Sequence, residues 1–304
     1  MATTTSITTT YAGEFAGQYI SAALLSGTTI ENGGITVKPN IKFKEVLKTV
    51  STNDIVTDAA CDFVGTSTIT LDERILQPEY QQVNLQLCKK DFQNDWDAIS
   101  MGYSAFDSLP PSFSDFLIGH VAAKVAQRTE TSIWEGSTAT SGQFDGLTTL
   151  LGADAAHTGS TKITGEAITA ANVIAELGSI VDALPSAIYG KEDVKIYISQ
   201  NIAKAYVSAQ AALGYRDLYN VGQTEMNFQG VPLFVANGLA ANAAIAAETS
   251  NLYFGTGLLS DHNEVKVIDM ADIDGSQNVR VVMRFTAGVQ YGIVSDIVSY
   301  GIGL

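Results

Sequence analysis

Between Asp62 and Lys90 the chain carries two runs with the character of β-strands, Asp62–Leu71 and Tyr80–Lys90. In the second, Val83, Leu85 and Leu87 alternate with Asn84, Gln86 and Cys88, the period of a strand. The link Asp72-Glu73-Arg74-Ile75-Leu76-Gln77-Pro78 is polar and ends on a breaker. The pattern predicts one long β-hairpin with residues 72–78 at its tip and an arm of about 33 Å. A two-stranded ribbon is marginal in water on its own. It must therefore fold back on its own domain or be completed by another molecule, and sequence alone favours the first. Cys61 and Cys88 sit on either side of the tip, where they could face each other. In a reducing cytoplasm they are expected to stay thiols.

The rest of the chain is punctuated as clearly. After a Thr tract, Tyr11, Phe15 and Tyr19 recur at helical spacing with Ile20 and Leu24, which predicts a short helix over 12–25. Gly13 and Gly17 weaken it, so it needs a surface to lie on. Glu31-Asn32-Gly33-Gly34 is a turn. Lys38, Lys42, Lys44 and Lys48 form the densest basic cluster, read either as a solvated strand face or as a weak phosphate-facing patch. Pro110-Pro111 breaks the chain before a helix expected over 113–134. Phe113, Leu117, Val121 and Val125 mark its apolar stripe, and His120, Lys124, Gln127, Arg128 and Thr131 a polar one. Beyond Gly146 the pattern is mixed, with helices expected over 169–184 and 200–213. Strands are expected over 194–199, 231–236, 251–255, 265–270 and 279–285, with 289–300 closing the chain in extended form.

Composition narrows the function classes. Charged residues are only 16% of the 304, and the net charge is −15. An acidic chain is a poor ligand for nucleic acid backbones, so sequence-specific DNA binding is not expected. A neutral polar surface suits wide protein contact, because little charge must be desolvated there, but it also suits secreted bacterial surface proteins, so composition alone does not decide. No zinc spacing, phosphate-binding glycine loop or nucleophile elbow occurs. Ser260-Asp261-His262 has the residue types of a triad side by side, but a triad is assembled in space, so this reads as a polar turn. Asp91, Asp95 and Asp97 lack the glycine and terminal Glu of a calcium loop. No catalytic residue, metal ligand or cofactor is expected. The first basic residue is Lys38, so a secretory signal is not expected either, nor is a membrane partner. The chain is expected to be made and kept in a cytoplasm.

The order of these elements is itself specific. Several segments resemble the major capsid proteins of tailed bacteriophages, the Hong Kong ninety-seven fold. They are Thr10 to Ser21 with Thr36 to Asn40, Leu87 to Phe92 with Trp96, and Glu130 to Gly136 with Phe144 to Leu147. Lys195 to Ser199, Phe228 to Pro232 and Leu252 to Thr256 follow. The likeness extends over essentially the whole chain, and the specific signal is the sequence of segments rather than any one of them.

The resemblance implies an α+β capsid fold. It divides the chain into an N-terminal arm (1–40), a first peripheral strand and extended loop (41–90), and a peripheral domain with a long spine helix (91–146). An axial α/β domain (147–270) and peripheral return strands (271–304) complete it. The implied function is structural: hexamers and pentamers of a virion shell, assembled in the bacterial host cytoplasm and enclosing double-stranded DNA held non-specifically. The implied inter-subunit contacts are Tyr11, Phe15, Tyr19, Asp72, Glu73, Arg74, Ile75 and Leu76. The lumen-facing cations are Lys38, Lys42, Lys44, Lys48, Lys124 and Arg128. A portal and a separate scaffolding protein are implied partners, with a cement or decoration protein as a further one. Some family members cross-link the extended loop through a Lys; here no Lys lies between Lys48 and Lys89, so no such cross-link is expected. The alternative with the same fold is an encapsulin-like nanocompartment enclosing cargo enzymes, against which the long neutral arm argues.

Overall fold

The computed structural model describes residues 27–53, 55–56, 58–59, 61, 65, 68–88, 111–212, 226–257 and 265–302. The expected arm helix with Tyr11, Phe15 and Tyr19, the Asp91–Asp97 segment and Ser260–His262 lie outside them.

A short helical turn, α1 (Thr28–Glu31), leads into strand β1 (Thr36–Lys38). Then come β2 (Glu45–Thr52), β3 (Ile69–Leu76) and β4 (Glu79–Cys88). The long helix α2 spans Pro111–Glu135, beginning at the second proline as the break predicts. Its 25 residues reach about 37 Å. Helix α3 (Leu147–Ala153) follows.

Two sheets organise the rest. One joins β1, β10 (Leu252–Thr256), β12 (Asn278–Tyr291) and β11 (Lys266–Asp269) in that order, with β4 also on β12. The other has the order β5 (Lys162–Ile163), β13 (Val298–Tyr300), β9 (Ala244–Glu248), β6 (Val194–Ile198), β8 (Val231–Val235) and β7 (Met226–Phe228). Helices α4 (Val173–Asp182) and α5 (Gln200–Ala212) pack on this second sheet through Val173, Leu177, Ile180 and Ile202. A last turn, α6 (Ala271–Asp274), precedes β12.

β12 buries Val279, Val281, Met283 and Phe285 on one face and exposes Arg280 and Arg284, the alternation expected of a sheet packed on one side. The main core runs from the end of α2 (Ile133, Trp134) through Phe144, Leu147 and Leu151 to Tyr197, Phe254, Met283 and Tyr291, so both sheets share it.

Several expectations are corrected. Among the described residues the predicted pairing of 62–71 with 80–90 is absent. β3 pairs instead with β2, from Glu45 opposite Leu76 to Thr52 opposite Ile69. β4 pairs along its whole length with β12, from Glu79 opposite Ala287 to Cys88 opposite Asn278. The physical reason is that β12 offers β4 a long partner already anchored in a core, whereas two isolated strands have no such support. Gln77-Pro78 is therefore the crossing between two sheets, not part of a tip. Cys61 is exposed in the β2–β3 connection and Cys88 sits at the far end of β4; both are free thiols. The helix expected from 169 begins at Val173, because Thr169 donates its hydroxyl to the Asn172 side chain and stays outside it. The extended run 289–300 is broken by a helical turn at Val294–Asp296. β10 is bonded to β12, and β13 lies in the six-stranded sheet.

Candidate assembly interface

The β2–β3 ribbon is the part of the structure with least support from its own chain. Directly paired residues of antiparallel strands share a face. On one face lie Val46 with Ile75, Lys48 with Glu73, Val50 with Leu71, and Thr52 with Ile69. Val50 is 61% exposed, Leu71 73% and Ile69 69%, a stripe of branched apolar side chains in water. The opposite face turns Leu47 into a small core with Ile41, Leu76 and Tyr253.

That small core sits at the base of the ribbon, where several contacts fix its angle. The Arg74 guanidinium lies 2.6 Å from Asp154 Oδ2 and over the Tyr291 ring, 4.4 Å from its centroid. Tyr291 Oη–H donates to the same carboxylate oxygen at 2.7 Å. Burial works against the Asp154 charge, but hydrogen bonds from Tyr291, the Ala156 N–H and Arg74 outweigh it and hold the carboxyl at about 2. Burial, and the bond to Asp154, push the Tyr291 phenol up. Gln290 Nε2–H donates to the Ile75 carbonyl at 3.1 Å. At two points there is no room for a side chain. A Cβ on Gly255 would stand 2.9 Å from Ile41 Cδ1, and one on Gly288 2.8 Å from the Gln77 carbonyl oxygen.

A second anchor holds the root of the N-terminal segment. Glu130, 1% exposed on α2, accepts from the Thr29 N–H at 3.1 Å and from its hydroxyl at 2.5 Å. Trp134 Nε1–H donates to the same hydroxyl at 2.9 Å. Burial raises the Glu130 carboxyl above its usual range, and these bonds only partly offset it. Tyr197 Oη–H donates to the Gly34 carbonyl at 2.6 Å, while its ring stacks near Trp134 and Phe234. Residues 27–34 are thus bolted to the long helix and the six-stranded sheet together.

The expected contact residues 72–76 divide by exposure. Asp72, Glu73 and Ile75 are exposed, whereas Leu76 is fully buried and Arg74 is engaged within the chain, so those two are turned inward. The expected cations also separate. Lys38 pairs with Glu45 at 2.5 Å and lies over the Tyr253 ring. Lys42 and Lys44 are exposed in the β1–β2 connection, and Lys48 stands opposite Glu73. Lys124 and Arg128 sit on α2, where Arg128 donates to the Ser141 and Gly142 carbonyls. Sequence reasoning missed Glu130 and Asp154. Glu130 opens one of the segments that carry the resemblance but is given no role there, and Asp154 lies in none. The side chains that bond to them, Thr29 for Glu130 and Arg74 and Tyr291 for Asp154, come from more than 75 residues away. Among the described residues no cluster of His, Cys, Asp and Glu is gathered for a metal, and no helix is long and apolar enough to cross a membrane.

No protein-family model and no curated protein matches this sequence. Solved structures do. The capsid of a native GTA particle shares 15% identity, covers 93% of each chain and superposes with a TM-score of 0.66. A structure from Mycobacterium phage Ogopogo shares 10%, covers 93% of this chain and 94% of its own, with a TM-score of 0.61. The capsid of Myoviridae phage XM1 shares 11%, covers 94% of both, with a TM-score of 0.58. The chain has the Hong Kong ninety-seven-like capsid fold.

Proposed function

We propose that this chain is a major capsid protein, whose copies associate into hexamers and pentamers and close an icosahedral phage head around double-stranded DNA. The observation that carries this is the outer face of the β2–β3 ribbon. Its apolar stripe has no partner among the described residues, and exposed apolar surface of this kind marks a protein contact. A neighbouring subunit would bury Val46, Val50, Ile69, Leu71 and Ile75 and support the ribbon that its own chain leaves standing. The likeness to capsids of similar length is consistent with that role.

The role is structural, without a catalytic step. In this reading residues 1–40 are the arm, with Tyr11, Phe15 and Tyr19 reaching a neighbour. The extended loop is 45–76 rather than a ribbon ending at 90. The five-stranded sheet with α2 is the peripheral domain and the six-stranded sheet the axial one. Lys38, Lys42, Lys44, Lys48, Lys124 and Arg128 are candidates for facing packaged DNA. Portal, scaffolding and cement proteins are the expected partners, and the virion the expected location, with assembly in the host cytoplasm. The nanocompartment alternative has no specific observation in its favour.

The test is to express the chain alone and image it by negative-stain electron microscopy, beside Val50→Asp and Leu71→Asp. Wild-type chain should give hollow shells or rings of five and six. Each variant should stay folded by circular dichroism and give neither. A wild-type chain that remains a folded monomer at high concentration, indistinguishable from both variants, overturns the reading.

A further inference from the structure

A second surface lies away from the ribbon. Between β4 and α2 runs an open groove of about 440 Å³. Val83, Val121, Val125 and Phe285 form its apolar floor, and Lys124 and Arg128 stand on its helical lip. Among the described residues no Asp or Glu lines it, in a chain with 32 acidic against 17 basic residues. Five consecutive residues of β4, Gln81 to Leu85, border it. Successive strand residues point to opposite faces, so a cavity touching all of them follows the strand's edge rather than one face. Among the described residues β12 is the only strand bonded to β4, and no described strand pairs with the other edge of β4, which runs along the groove. A long open edge is a template for another strand.

We infer that this groove receives an extended, carboxylate-bearing segment of a partner protein, which adds to β4 as a further strand. Backbone bonds to β4 would supply affinity, alternate apolar side chains would fill the floor, and carboxylates would meet Lys124 and Arg128. An apolar floor beneath the cations favours such a peptide over nucleic acid, whose phosphates would gain nothing from it. The inference does not require that the chain build shells, so it stands or falls separately from the proposed function.

The test uses purified full-length chain and a short fluorescein-labelled peptide alternating Glu with Val. Anisotropy should report saturable binding that Lys124→Glu/Arg128→Glu weakens by about tenfold or more, the worth of one good contact. Hydrogen exchange should slow in the complex at the alternate amides of residues 81–85 that are not already bonded to β12, and not elsewhere. An alternating Lys–Val peptide should bind more weakly than the acidic one. Absence of binding to the wild-type chain overturns the inference. So does equal binding to the variant, or tighter binding of a DNA oligonucleotide without protection of 81–85.

Discussion

Asp154 shows how much a single side chain is asked to hold. Its carboxylate joins the base of the ribbon, through Arg74, to the end of β12, through Tyr291. An ordinary Asp titrates near 3.8, and here the folded-state value falls to about 2. A carboxyl depressed on folding stabilises the native state above its unfolded pKa. That contribution is therefore complete above about pH 4 and disappears as pH falls from there through about 2. Asp154→Asn keeps the size of the side chain and removes the charge. It should lower unfolding stability at pH 7 by about 1–2 kcal/mol, the range for a charge-assisted bond with one partner left behind. Urea unfolding at pH 7 and at pH 3 checks the assignment: the gap between wild type and variant must narrow at the lower pH. An undiminished gap would mean that Asn perturbs packing rather than charge. The Glu130 carboxyl works in the opposite sense, since burial raises it and its charged form is a cost at neutral pH.

Elements with a period or a breaker of their own were legible in the sequence. The Pro110-Pro111 break and the spacing of Leu117, Val121 and Val125 place α2 within two residues at its start, and strand patterns place β6, β8 and the first half of β12. Pairing was not legible. β3 and β4 are separated by Gln77-Pro78 alone, and local rules join such neighbours into a hairpin. What separates them is a sheet-to-sheet crossing that depends on β12, nearly 200 residues further along. The signal that survives in sequence is Gly288, whose missing Cβ lets β12 pass against the Gln77 carbonyl. Gly288→Ala should therefore misplace this crossing. A Cβ forced against backbone cannot be relieved by a rotamer, so the cost should be about 1–3 kcal/mol. Thermal unfolding would read it, and Gly152→Ala serves as the control, because its Cβ would meet nothing closer than 4.0 Å. Equal melting temperatures for the two variants would contradict the close approach.

At the scale of the whole molecule, charge and contact pull in opposite directions. The chain is dilute in charge at 16%, which keeps the desolvation cost of covering its surface low, yet the charge it has sums to −15. The proposed assembly would gather that charge, and the repulsion acts between exposed groups separated by more than a contact distance. Such repulsion is screened by salt, with a Debye length of about 10 Å at 0.1 M and about 3 Å at 1 M. The attraction assigned to Val46, Val50, Ile69, Leu71 and Ile75 is apolar and is not weakened by the same ions. Assembly should therefore be promoted by salt. Sedimentation of purified chain should show the assembled fraction rising as sodium chloride increases from about 0.05 to about 0.5 M. The acidic pI of about 4.4 adds a second arm, because lowering the pH towards it removes the same repulsion without added ions. If assembly instead fell steeply with salt, the subunits would be held by ion pairs across their contacts. The ribbon stripe would then not be what brings them together.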